Sequence, residues 1–227
     1  MGIERAVVLL SGGLDSATCL AIASNDYEVH ALTFDYGSRH SKEIAAARAV
    51  AKHFGVRSHR VLKVDLASIG GSSLTEHAIP VKRVESEEGI GRTIPNTYVP
   101  ARNMTFLSIG VALAESIGAS SVFIGANSVD YSGYPDCRPE FIEAFQRAAE
   151  LGTKTGVEGR PVRIEAPLLM MSKAEIVKKG AELRVPFGMT WTCYSGRRVA
   201  CGLCEACQLR LAGFREAGVR DPVKYAD

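Results

Sequence analysis

Ala6-Val7-Val8-Leu9-Leu10-Ser11-Gly12-Gly13-Leu14-Asp15-Ser16 is the stretch on which the fold turns. Its first five residues are apolar and partly β-branched. They stop at a serine and two glycines, so they read as a buried strand. From Leu14 to Ala23 apolar residues recur at helical spacing among good helix formers. The order is strand, glycine turn, helix. In that geometry the unpaired N–H groups of the first helical turn and the positive end of the helix dipole meet where an anion can sit. Gly12 and Gly13 let backbone approach a phosphate, and Ser11 and Ser16 add hydroxyls. The loop is not a Walker A loop, because no Gly-Lys-Ser/Thr closes it, and it is not Gly-x-Gly-x-x-Gly either.

The chain on either side repeats the alternation. Glu28 to Asp35 reads as a second strand, ending in the polar loop Asp35-Tyr36-Gly37-Ser38-Arg39-His40. Ser41 opens a helix to Phe54, on which Glu43, Ala46, Ala47, Val50 and Phe54 share a face. Ser58 to Leu66 gives a third strand. This spacing implies parallel pairing through right-handed crossovers, with ligands at the carboxyl ends of the strands. Those ends are the Ser11 loop, Asp35 and Asp65. Residues 67–97 then break the rhythm with glycines, an acidic cluster and Pro95, and are expected to form a lid.

Order returns at Tyr98-Val99-Pro100-Ala101-Arg102-Asn103, before an apolar helix over Thr105 to Ser116. Ser121 to Ala126 is a fourth strand, followed by the turn-rich Asp130-Tyr131-Ser132-Gly133-Tyr134-Pro135-Asp136-Cys137-Arg138. Pro139 sits in the first turn of a helix reaching Leu151. Arg163 to Ala166 gives a fifth strand, and Ser172-Lys173-Ala174-Glu175 has the form of a capping box. The fold class is therefore α/β, a doubly wound parallel five-stranded sheet.

The chain has 227 residues, 46% hydrophobic and 23% charged, which suits one globular domain with a full core. A net charge of +2 gives no support to a protein that coats a polyanion, so no direct nucleic-acid partner is expected. Neither a signal peptide nor a membrane span is expected, and the expected compartment is the cytoplasm.

Four of the six cysteines, Cys193, Cys201, Cys204 and Cys207, fall late in the chain as C-x7-C-x2-C-x2-C. Four thiolates so spaced can close a tetrahedron round Zn²⁺, and with every position filled by protein the ion would serve folding. An iron–sulfur cluster is the competing use of such a set. Gly202 allows the turn between ligands, and Cys207 is read as the start of a helix to Ala217. Arg197, Arg198, Arg210 and Arg215 lie nearby and read as a solvated surface. Cys19 falls on the inner face of the first helix and reads as core, whereas Cys137 suits substrate contact or loop packing better than covalent catalysis.

Ser11-Gly12-Gly13-Leu14-Asp15-Ser16 resembles the pyrophosphate loop (PP-loop) of the ATP pyrophosphatases, which cleave ATP between the α and β phosphates. With Phe34-Asp35-Tyr36-Gly37, Tyr98 to Asn103, Asp130 to Arg138, Ser172 to Ile176, Thr190 to Tyr194 and the four cysteines, it stands in the order found in the 7-cyano-7-deazaguanine synthase family. The resemblance runs from about Val7 to Tyr225. It departs at Ser38, where glutamine is commoner, and at Ala101, where glycine is commoner.

The resemblance implies the adenine nucleotide alpha hydrolase-like (HUP) fold, with an ATP-binding domain over 1–187 and a zinc-binding element over 188–227. It implies an ATP-dependent ligase of the queuosine pathway that converts 7-carboxy-7-deazaguanine and ammonia to the nitrile, releasing AMP and pyrophosphate. It implies Mg²⁺ with ATP, one structural Zn²⁺ per chain, and a homodimer. Leu10, Ser11, Gly12, Gly13, Leu14, Asp15, Ser16, Asp35 and Tyr36 would bind the nucleotide. Ser11, Asp15, Ser16, Lys173 and Arg102 would act in catalysis, Lys173 on the α-phosphate or leaving pyrophosphate. Arg102, Asn103, Asp130, Tyr131, Tyr134, Asp136 and Arg138 would hold the substrate, and the four cysteines the zinc. Ammonia is itself the nucleophile, so no general base is assigned. Two relatives of different use stay open: an enzyme passing the adenylated deazaguanine to a protein or nucleic acid, and a tRNA-modifying PP-loop enzyme.

Overall fold

Five strands form one parallel sheet in the computed structural model of the chain, which describes residues 2–39, 41–84, 90, 93–128, 133–196 and 198–226. In chain order they are β1 (Arg5–Leu9), β2 (Glu28–Asp35), β3 (Ser58–Lys63), β4 (Ser121–Ile124) and β5 (Arg163–Glu165). The spatial order is β3-β2-β1-β4-β5. The chain thus steps outward from β1 to β3, then crosses back to β4, leaving a topological switch between β1 and β4. Ligands of doubly wound sheets sit in the crevice at such a switch, beyond the carboxyl ends of the strands.

The helices are α1 (Leu14–Ala23), α2 (Lys42–His53), α3 (Arg102–Ile117), α4 (Pro139–Gly152), α5 (Lys154–Val157), α6 (Lys173–Glu182) and α7 (Glu205–Ala217). The two-residue period of β1 divides its side chains between two cores. Ala6, Val8 and Leu10 pack with Leu20, Val50, Ile176 and Phe214 from α1, α2, α6 and α7. Val7 and Leu9 pack with Leu107 and Ile142 from α3 and α4. A central parallel strand must be apolar on both faces, which is why β1 reads as an unbroken apolar run.

Of the boundaries that differ from expectation, three bear on the site. β3 stops at Lys63, opposite Asp35, the last residue of β2; the Val64 N–H still donates to Asp35 O at 2.9 Å, and the chain then turns, with the Leu66 N–H donating to Val64 O. α3 starts at Arg102 because Ala101 takes a left-handed conformation (φ 54°) that turns the chain into the helix, and Asp136 reaches across to accept the Asn103 N–H at 2.9 Å. α7 starts at Glu205, so Cys204 is its cap and Cys207 lies inside its first turn.

Residues 85–89 and 91–92 of the 67–97 excursion lie outside the described residues. Of the remainder, Ser72, Ser73, Leu74 and Thr97 are buried. Arg39 donates to the carbonyls of Ser73, Glu76 and Ile79, and the Val84 N–H donates to Leu203 O at 2.7 Å. Among the described residues no helix is long and apolar enough to cross a membrane.

Candidate active site

The Ser11 loop is braced on every side. Ser11 Oγ and Ser16 Oγ lie 2.9 Å apart, the Ser11 N–H donates to Ser16 Oγ and the Gly13 N–H to Ser11 Oγ. Gly12 has φ +83°, and a Cβ there would stand 2.3 Å from Glu43 O and 2.6 Å from Ala47 N, so α2 closes the back of the loop. Just after β4, Gly125 is also hemmed in: a Cβ there would be 2.9 Å from Ser16 N.

Lys173 is delivered by the first turn of α6, where Ser172 and Glu175 form the expected reciprocal capping box. Its Nζ donates to both carboxylate oxygens of Asp15, at 2.8 and 2.7 Å, across 158 residues of sequence. α7 makes room for it: a Cβ on Gly213 would fall 2.3 Å from Lys173 Cγ.

These groups open on a cavity of about 230 Å³ at the switch between β1 and β4. Leu10, Ser11, Gly13, Leu14, Asp15, Ser16 and Lys173 line one side, and Tyr36, Arg102, Asn103 and Tyr134 line the other. Arg102 lies 5.7 Å from the centre of the Tyr36 ring. Burial opposes its charge, but Tyr36, Tyr134, Tyr194 and Asp136 outweigh that, and the guanidinium titrates even higher than usual. Tyr134 is buried, with its hydroxyl 2.8 Å from Thr97 Oγ1.

The other expected residues spread wider. Asp136 is buried with its carboxylate on the α3 backbone, and burial pushes its pKa up against the lowering from Asn103 and Arg102. Asn103 Nδ2 donates to Asp136 O and Cys137 Sγ, both at 3.2 Å. Burial raises the Cys137 thiol to about 12, which leaves it protonated at neutral pH. Arg138 is exposed at the cap of α4, and neither it nor Asp35 lines the cavity. Asp130 and Tyr131 fall outside the described residues, as does Arg197.

The sulfurs of Cys193, Cys201, Cys204 and Cys207 all lie within 4.8 Å of one another. A tetrahedral Zn²⁺ with bonds of about 2.3 Å needs sulfurs roughly 3.8 Å apart, and Cys201 and Cys207 stand at 4.0 Å. The Ser195 and Cys201 N–H groups donate to Cys193 Sγ and the Leu203 N–H to Cys201 Sγ, the outer-shell support that thiolate ligands use. The donor set fits the ion. Arg210, expected at the surface, is instead 2% exposed. It makes a bidentate pair with Asp221 at 2.8 and 2.9 Å and also donates to Thr190, Thr192 and Phe187 O, tying α7 to the segments on either side of the cysteines.

Over residues 5–218 the sequence matches the family described as queuosine biosynthesis protein QueC. The chain belongs to the QueC family. Its similarity to the 7-cyano-7-deazaguanine synthase of Anaeromyxobacter dehalogenans is 57% identity over 225 residues, covering 98% of this chain and 96% of that one. The synonymous protein of Acetivibrio thermocellus is 54% identical over 226 residues, 99% of each chain. Among solved structures, NMN synthetase from Francisella tularensis aligns with a TM-score of 0.47 at 14% identity, over 96% of this chain and 73% of that one.

Four residues of this QueC-family site escaped the sequence reading. Gly125 and Gly213 matter for the side chain they lack, which no local pattern reveals. Trp191 donates its N–H to Gly12 O at 2.9 Å, linking the cysteine element to the Ser11 loop. Glu43 lines the cavity, and its signal was visible: a carboxylate on the apolar face of α2. Burial raises it to about 7, against a lowering from Arg102.

Proposed function

We propose that this chain is a 7-cyano-7-deazaguanine synthase, an ATP-dependent carbon–nitrogen ligase that makes the nitrile of 7-deazaguanine from its 7-carboxylate and ammonia. The observation that carries the reading is the joining of a glycine-turn loop at a helix N-terminus and a half-buried arginine, Arg102, in one cavity, in a chain 57% identical to a synthase of that name.

The chemistry follows from what a carboxylate lacks. It is a poor electrophile, and attack of its oxygen on the α-phosphorus of ATP, as the bond from that phosphorus to pyrophosphate breaks, turns the oxygen into a good leaving group. Ammonia then displaces AMP to give the amide. A second adenylation, on the amide oxygen, lets the nitrile form as AMP departs. The backbone N–H groups of Gly12 and Gly13, with the hydroxyls of Ser11 and Ser16, would hold pyrophosphate. Lys173 would meet the charge developing there. Arg102 suits the substrate carboxylate, since a guanidinium pairs with both its oxygens, and Tyr36 and Tyr134 present faces to the planar ring.

Mg²⁺ would arrive bound to ATP and shield its phosphate charge. Both oxygens of Asp15 are engaged by Lys173, and among the described residues the cysteines are the only cluster of metal-ligating groups. Zn²⁺ at the cysteines, with no open position, would hold the C-terminal element in shape. A homodimer working in the cytoplasm completes the proposal.

The test is a product assay: metal-loaded protein, 7-carboxy-7-deazaguanine, ammonium, Mg²⁺ and ATP, resolved by liquid chromatography and mass spectrometry. Nitrile together with AMP supports the reading. AMP without amide or nitrile points to an adenylate meant for another acceptor. No AMP from zinc-loaded protein overturns it.

A further inference from the structure

Making a nitrile from ammonia is a problem of removing protons from nitrogen. When ammonia attacks the adenylated carboxyl carbon, its lone pair becomes the C–N bond and the C–O bond breaks with its pair on AMP. The new ammonium must then lose one proton to become the amide. In the second half the amide oxygen carries AMP and the nitrogen is an iminium with two N–H bonds. Loss of the first proton gives the neutral imidate. Loss of the second turns the N–H bonding pair into the third C–N bond, as the C–O bond breaks and AMP leaves with its pair. Three protons leave one nitrogen at one carbon.

Among the described residues the cavity wall carries two carboxylates and no histidine. Asp15 is clasped through both oxygens by Lys173. The Cys137 thiol and the Tyr36 hydroxyl are both raised by burial and hold their own protons at neutral pH. Glu43 remains. It stands in the first turn of α2, behind the Ser11 loop, where its own carbonyl fills the space a Gly12 side chain would need. From there it shares the cavity with Arg102, the group that suits the substrate carboxylate.

We propose that Glu43 is the base that takes the protons from nitrogen in both halves of the reaction, an inference that rests on the synthase reading above. The proton moves from nitrogen to the carboxylate, then to solvent through the mouth of the cavity. The charged and titratable groups around Glu43 are Arg102 from α3, which favours its ionised form, Cys193 from the C-terminal element, which opposes it, and Tyr36 after β2, which stays neutral and whose own ionisation Glu43 opposes. Its neighbour on α2, Lys42, is turned onto the Trp191 ring at 4.2 Å. With burial raising it to about 7, Glu43 is poised to accept and release a proton near neutrality.

Glu43→Gln keeps the shape and removes the base. Two reactions separate its role from that of the loop: ATP–pyrophosphate exchange dependent on the 7-carboxylate without ammonia, and conversion of supplied amide to nitrile with ATP. The expected result is exchange within about twofold of wild type and nitrile formation slowed roughly 10²- to 10⁴-fold. The wild-type rate from amide should rise with pH through a value near 7, and the variant should lack that rise, while Glu43→Asp should keep it. Exchange and nitrile formation falling together would overturn the proposal, since Glu43 would then only support the loop. So would a variant that keeps the wild-type rate and pH profile. Wild-type protein that releases AMP but makes no nitrile would overturn the synthase reading, and this proposal with it.

Discussion

Replacing Lys173 with methionine removes a charge from a pair that is nearly out of water. The Lys173 side chain is 7% exposed and that of Asp15 21%, with their charged atoms 2.7 and 2.8 Å apart. Deleting one partner of a buried pair costs about 3–5 kcal/mol, because the survivor is left charged and unpaired. Asp15 sits at the wall of an open cavity and regains some water, so about 2–3 kcal/mol is the expected loss for Lys173→Met. Asp15→Asn combined with Lys173→Met leaves no stranded charge. The double variant should therefore recover most of that stability, with a coupling energy of about 2 kcal/mol in urea unfolding of zinc-loaded protein.

Activity should not recover with it. If Lys173 meets the charge on leaving pyrophosphate, both variants should lose about 10²- to 10³-fold in carboxylate-dependent ATP–pyrophosphate exchange. Gly213→Ala gives a third handle, since its Cβ would stand 2.3 Å from Lys173 Cγ and displace the side chain without changing charge. It should lower both stability and exchange. Single-variant effects that add to the double within about 0.5 kcal/mol would refute the pairing. Exchange within tenfold of wild type in Lys173→Met would refute the phosphate role.

Three further outcomes follow from other sites. Ala101→Gly should raise the melting temperature: relief of left-handed alanine is worth roughly 1–2 kcal/mol and the added chain entropy takes back about 0.5–1, leaving a gain of about 1–4 °C by calorimetry. Stripping the metal with a chelator should change the fluorescence of Trp191, the single tryptophan, and abolish exchange in parallel, because its N–H ties the cysteine element to Gly12 O; exchange that survives the fluorescence change would refute that link. Glu43 rises from an ordinary 4.5 to about 7 on folding, so the folded protein keeps a proton that the unfolded chain has released, and wild-type stability falls as pH rises through that window. Glu43→Gln should therefore gain stability over wild type between pH 4.5 and 7, level off above, and show no gain at lower pH in urea titrations.

Much of this site was legible because it is built from local signals. The strand, glycine turn and helix at Ser11, the capping box that launches Lys173, and the cysteine spacing each declare themselves within a short stretch of the chain. What the sequence hid is what distant elements do to each other. Arg210 looks like one more surface arginine beside its neighbours, and only the fold brings Asp221 and Thr190 round it. Asp136 reads as a substrate ligand, and only the fold shows that its Oδ2 also serves as the missing cap of α3. Ala101 is the mirror case: its departure from glycine was visible, but only the positive φ shows that the cost is paid in backbone strain at the entrance to the Arg102 helix.

The contacts behind the Ser11 loop also bear on how the chain works as a unit. A division into nucleotide-binding and cysteine-bearing parts would let the second fold, or fail, without consequence for the first. The loop is held otherwise. Gly12 is pressed between its own turn and the backbone of α2, and its carbonyl takes the Trp191 N–H two residues before Cys193. Trp191 Nε1 in turn donates to Cys193 O, and Lys42 of α2 lies over the same ring. One tryptophan thus touches the anion loop, the helix that carries Glu43 and the first cysteine of the cluster. Any loosening of the cysteines should reach the phosphate-binding backbone through it. An ion held by the four cysteines would then act on the Ser11 loop through Trp191, although no cysteine of the cluster lines the cavity.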